Sequence, residues 1–191
     1  MSHNELKIHI YPHEVLFNKN EDITTFDENL IQLSKNMLEL MYETNGVGLA
    51  APQVGINKKM LVIDTVLPNS GQKPEPLVFI NPKITKKGSN FCSIEEGCLS
   101  LPTLYYNIER PDEIELEYQD IKGQKHKKIF KDDNENYKKT KDNKHRMARI
   151  LQHEIDHLEG KVFIDHLSKL KKDMATKKLA KAIKKWQEED N

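Results

Sequence analysis

A chain of 191 residues suits one domain around one hydrophobic core. Thirty basic and thirty acidic residues cancel, which argues against a dedicated nucleic-acid binder with its usual basic excess. Two cysteines, Cys92 and Cys98, are too few for a disulfide scaffold and fit a reducing compartment, and no apolar run approaches the ~18 residues of a membrane span.

The first residues, MSHNELKIHI, lack the apolar core of a signal peptide. From Thr25 to Glu43, Phe26, Leu30, Leu33, Met37 and Met41 recur at spacings of three and four, which predicts a helix with one apolar face. Asn45-Gly46 then supplies a stop. GVGLAAPQVGI, Gly46 to Ile56, carries no charge and follows neither a strand nor a helix period. Leu61 to Val66 reads as a short strand. Leu77 to Ile84 reads as another, with Pro82 placing its end at an edge or bend. Ile114, Leu116 and Tyr118 alternate with Glu113, Glu115 and Glu117, a strand with one wet face. Lys122-Gly123 marks a turn, and Lys127 to Phe130 the returning strand.

Residues 131–145, KDDNENYKKTKDNKH, have almost no apolar side chains and read as a solvated or disordered insertion that adds nothing to the core. A helix follows from Met147 to Gly160. A last helix, 167–188, has an imperfect apolar stripe of Leu170, Met174, Leu179, Ile183 and Trp186. Strands and helices without strict alternation predict an α+β domain over residues 1–191.

The chemistry starts at His153-Glu154-Ile155-Asp156-His157. On a helix, residues four apart share a face, so both imidazoles can reach one metal ion. Glu154 sits beside the water that such an ion polarises. Two histidines need a third protein ligand. Downstream, the position of a metzincin's third His is Phe163, Glu188 and Glu189 lie in a charged tail, and His166 lies past the helix end. Upstream, Glu95-Glu96-Gly97-Cys98-Leu99-Ser100 offers a thiol. From residue types alone, Cys98 as a ligand and Cys98 as a small buried hydrophobe both stand. Cys92 reads as structural. A zinc protease with some other third ligand remains the rival enzyme, and a non-catalytic metal-binding module the second rival.

GVGLAAPQ, EGCLS and HEIDH, in this order and spacing, resemble the three signature motifs of the peptide deformylases, and the similarity runs from about Tyr11 to Lys172. The resemblance implies antiparallel sheets packed around a central HExxH-bearing helix, with a C-terminal helix. It implies a hydrolase that removes the formyl group from N-formylmethionyl nascent peptides. Cys98, His153 and His157 would hold one divalent ion, usually Fe²⁺, with Zn²⁺, Ni²⁺ or Co²⁺ able to replace it. Glu154 would act as general base and acid. The Gln53 amide and the Leu99 backbone N–H would meet the developing oxyanion. Gly48 would lie along the substrate backbone, where a side chain would block a close approach. By the same resemblance, Ile150 and residues around Val47 and Ile94 would line a slot for the methionine side chain. Glu96 and Arg110 match common family positions as a pair bracing the Cys98 loop, against the plainer reading of two surface charges.

The long polar insertion and the abundance of Lys and Asn suggest an AT-rich genome. The expected location is a eukaryotic organelle, a plastid before a mitochondrion, with the transit peptide removed; the alternative is a bacterial cytoplasm. The Lys-rich last helix reads first as a packing helix with a basic outer face and second as a contact to the ribosome surface.

Overall fold

The structure, a computed structural model, describes residues 6–66 and 71–189. Helix α1 spans Glu28–Glu43. It starts later than the apolar pattern alone predicts because the Asp27 carboxylate accepts the Leu30 N–H at 3.0 Å and caps it. Leu30, Met37 and Met41 are its buried apolar residues. At its end Asn45, not Gly46, takes the left-handed conformation, with φ of 56°. Gly46 answers a packing need instead: a Cβ there would lie 3.0 Å from Leu99 Cδ1.

The strands are β1 (Gly48–Ala50), β2 (Met60–Ile63), β3 (Leu77–Lys87), β4 (Phe91–Glu96), β5 (Tyr106–Pro111), β6 (Glu113–Gln119) and β7 (Lys125–Lys131). Five of them form an antiparallel sheet in the order β1-β2-β3-β6-β7, while β4 and β5 pair separately. Two departures from the sequence expectation stand out. GVGLAAPQVGI is part strand and part 3-10 turn, Ala51–Val54, too short for either to leave a period. Strand β3 runs on past Pro82, because a register shift between Ile80 and Lys83 absorbs the missing N–H.

Successive residues of β2 face opposite sides of the sheet. Met60 and Val62 pack with Met37, Met41 and Leu49 on the α1 side. Leu61 and Ile63 pack with Phe79, Ile114 and Leu116 on the other. That second side is covered by α3, Met147–Leu158, through Leu151, Ile155 and Leu158. The sheet therefore holds β1 between the two helices, and β1 runs directly into the turn that carries Gln53. This mixture of helix and antiparallel sheet is the α+β arrangement expected.

Residues 131–145 differ from the expectation. They contain helix α2, Asn134–Thr140, capped by Asp133, and the start of a 3-10 turn, Asn143–Arg146. No residue of α2 is buried, but Asp132 is, at 5% exposure. Its Oδ1 accepts the N–H groups of Ala148 at 2.8 Å and Arg149 at 3.3 Å, capping α3 from a distance. Helix α4 spans Lys169–Glu189. Its packing residues are Ala175, Leu179 and Ile183 against Leu101, Leu104 and Phe163. Leu170 and Met174, expected in the apolar stripe, are exposed at 71% and 60%. Among the described residues no helix is long and apolar enough to cross a membrane.

Candidate active site

Two segments bring the chemistry together. Helix α3 carries His153, Glu154 and His157, and the loop between β4 and β5 carries Cys98 and Leu99. The ligand atoms of Cys98, His153 and His157 all lie within 4.8 Å of one another. Cys98 Sγ stands 3.2 Å from His157 Nε2. His153 Nδ1 lies 2.9 Å from Glu96 Oε2. A carboxylate can only accept, so this contact places a proton on Nδ1 and leaves Nε2 as the nitrogen available to a metal.

The electrostatics of the cluster suit a cation. Burial raises the Cys98 thiol, but His157 and His153 beside it bring it down to about 5. Burial works against charge on His153 as well, yet its hydrogen bonds to Cys98 and Glu96 hold its pKa well above the ordinary value. A thiolate next to imidazolium is thus the favoured proton-only state. One divalent ion can replace that positive charge, and a thiolate with two imidazoles fits a transition metal far better than Mg²⁺ or Ca²⁺. The residues present fit the metal that the motif implies.

Glu154 is 5% exposed. Burial pushes its carboxyl up to about 7, against the pull of His153 and His157. Its Oε2 has no hydrogen-bond partner among the described residues. Gly48 faces it across the cleft: a Cβ at Gly48 would lie 2.5 Å from Glu154 Oε1. The glycine therefore leaves room for the carboxylate as well as for any ligand.

Gln53 is buried at the start of the same cleft. Its Oε1 accepts the Ala50 N–H at 2.9 Å, which fixes the amide so that Nε2 points at the site. Nε2 donates to Ser100 Oγ at 3.1 Å and lies 3.5 Å from Cys98 Sγ. The Leu99 N–H has no acceptor among the described residues. The cleft encloses about 480 Å³, and Val47, Gly48, Leu99, Ile150 and Pro102 contribute to its walls. Ile94 does not line it. In the β4–β5 ladder Ile94 is paired with Ile108, and the cleft wall begins one residue later, at Glu95.

Glu96 and Arg110 do pair, and they are buried rather than superficial. Arg110 Nε donates to Glu96 Oε1 at 2.7 Å, and both side chains are 3% exposed. Burial would raise Glu96, but hydrogen bonds from His153 and Arg110 hold it below the usual carboxylate range. Arg110 Nη1 reaches on to Asp156 at 2.7 Å, and Asp156 also meets His166 at 2.7 Å. Arg149 is the residue that sequence reasoning missed most plainly. It is 1% exposed and donates to Glu96, to Ile108 O and to Cys92 O. Its signal was available: a charge four residues before His153, on the face of α3 that turns inward. Ser100 and Asp132 carried no comparable signal, since their partners come from distant segments.

Comparison with known proteins identifies the family. A family model described as polypeptide deformylase matches residues 5–173. A peptide deformylase of Rhizobium meliloti is 40% identical over 175 residues, 92% of this chain and 92% of that protein. One from Synechocystis is 40% identical over 164 residues, 85% of this chain and 79% of that protein. Among solved structures, a mutant of an Arabidopsis thaliana peptide deformylase superposes with a TM-score of 0.81 at 34% identity, covering 96% of this chain and 92% of that one. A Plasmodium falciparum peptide deformylase does so with a TM-score of 0.80 at 36% identity, covering 95% and 97%. The chain belongs to the peptide deformylase family, metal-dependent hydrolases that remove the formyl group from the N-terminal formylmethionine of newly made polypeptides.

Proposed function

We propose that residues 1–191 form one catalytic domain, built around the HExxH-bearing helix α3, in which Cys98, His153 and His157 hold the metal and Glu154, Gln53, Leu99 and Gly48 perform or accommodate the deformylation. The observation that carries this reading is the convergence of the three ligand atoms within 4.8 Å beside a buried carboxylate and a fixed amide. When bound, the metal would polarise water and the formyl oxygen. Glu154, buried beside the three ligand atoms with an Oε2 that has no partner among the described residues, is suited to take a proton from the attacking water and return it to the leaving amine. The Leu99 N–H and the Gln53 amide supply donors for the oxygen on which negative charge builds. Gln53 would exchange its bond to Ser100 or its sulfur contact for that oxygen. Gly48 leaves the space in which Glu154 and the substrate backbone meet. Val47 and Ile150 form the apolar part of the methionine slot.

Fe²⁺ is the metal we assign, with Zn²⁺, Ni²⁺ or Co²⁺ able to occupy the same ligands. An Fe²⁺–thiolate centre is sensitive to oxidation of both metal and sulfur. Anaerobically purified protein should carry about one equivalent of metal and Cys98→Ala should lose it. Iron-loaded enzyme should fade in air while nickel-loaded enzyme persists; equal air stability of the two forms contradicts the iron assignment. We further place the protein in a plastid-type organelle. The similarity to cyanobacterial deformylases supports this, as does the Lys- and Asn-rich insertion. The basic outer face of α4, Lys169–Glu189, is offered as a ribosome contact.

A further inference from the structure

Arg146 stands one helical turn before Ile150 and two before His153 and Glu154, and all four line the same cleft. At ~1.5 Å per residue, its backbone lies ~12 Å from that of Glu154 along the helix, the span of three to four residues of extended peptide. An extended peptide lying along this wall with its formyl end at Glu154 would bring one of the residues after the formylmethionine to Arg146.

The guanidinium is held in place. Nη1 donates to Tyr137 Oη at 2.8 Å, and Nη2 donates to the Glu95 carbonyl at 3.0 Å. Its central carbon lies 4.5 Å from the centroid of the Tyr137 ring. Tyr137 belongs to α2, so the polar insertion 131–145 acts as a buttress for one wall of the cleft. Among the described residues no carboxylate pairs with Arg146, and its Nε is buried without an acceptor. Across the rim, Tyr105 is 63% exposed and rests on Gly97, where a Cβ would lie 2.6 Å from its ring. Glu95 also lines the rim, but its side chain is exposed and unbraced, so a cationic substrate residue would have to order it first.

We infer that Arg146, braced by Tyr137, is a specificity-determining residue that favours peptides with a carboxylate side chain among the first few residues after formylmethionine. This rests on the deformylase activity itself. A charge pair at a partly exposed rim is worth roughly three- to fivefold in kcat/KM. The test compares formate release from formyl-Met-Ala-Glu and formyl-Met-Ala-Lys, with the same pair carrying the acidic or basic residue second, by wild type, Arg146→Gln, Arg146→Lys and Tyr137→Ala. The expected result is an acidic-over-basic ratio in the wild type that shrinks in high salt. The ratio should fall to about one in Arg146→Gln, recover in part in Arg146→Lys, and fall in Tyr137→Ala. A general folding defect would lower both peptides together and leave the ratio intact, which would overturn the assignment. A wild type indifferent to charge would also overturn it. No formate from any of the peptides would remove the deformylase reading and this subsite with it.

Discussion

His153 Nδ1 lies 2.9 Å from Glu96 Oε2, and the same carboxylate takes hydrogen bonds from Arg110 and Arg149. The imidazole is thereby fixed in one tautomer and one orientation by a group whose own charge is fully balanced. Removing such a support from a metal-ligating histidine typically costs ~10- to 100-fold in metal affinity. Glu96→Gln should weaken metal retention to that extent while leaving Cys98 and His157 in place. Competition with a chromophoric chelator measures it; unchanged affinity would mean that His153 orients itself.

Gly48→Ala should cut kcat/KM by about 100-fold, since misplacing a catalytic group by ~1 Å can cost that much. The added Cβ would fall 2.5 Å from Glu154 Oε1, so the carboxylate or the strand must move. Circular dichroism separates this from unfolding. A variant with wild-type turnover would show that Glu154 has room that the cleft geometry denies it.

Asp132→Ala should destabilise the protein by about 1 kcal/mol, the ordinary worth of a helix cap. For a chain of this size, that is a fall of about 2–4 °C in Tm. The carboxylate serves the N–H groups of Ala148 and Arg149, which have no substitute acceptor from Arg146. An unchanged Tm would mean that water caps α3 equally well.

Burial would raise Asp156, but His166 and Arg110 hold it at about 2. A carboxyl depressed in the folded state contributes stability that is complete above its unfolded value of ~3.9 and lost as pH falls toward the folded value. Urea midpoints should therefore drop between about pH 4 and pH 2, and Asp156→Asn should flatten part of that slope. A variant with the wild-type slope would assign the acid sensitivity elsewhere.

Much of this was legible from the chain. Periodic apolar residues located α1 and alternation located β6, because each buries one face, while the return of apolar residues at Met147 and the HEIDH run located α3. Strands β4 and β5 were invisible: Phe91 and Glu95 are exposed while Glu96 and Arg110 are buried, so their pattern inverts the rule on which the reading relied. The three candidate ligands could be gathered from motif spacing and resemblance. Their supports could not, since Arg149, Asp132 and Ser100 act through partners from 16 to 57 positions away. Leu170 and Met174 misled because they sit on the side of α4 away from Leu101 and Phe163, and apolar residues on a surface leave the same trace as a buried stripe.

The central claim is that Glu154 moves the proton in a deformylation carried out at the Cys98–His153–His157 cluster. Formate release from a short N-formylmethionyl peptide, by anaerobically purified wild type beside Glu154→Ala, tests it most directly. The account predicts turnover by the wild type and a loss of about 100- to 10,000-fold in the variant, the usual worth of a general base. Equal release by both proteins, or none from a metal-replete wild type, would contradict it.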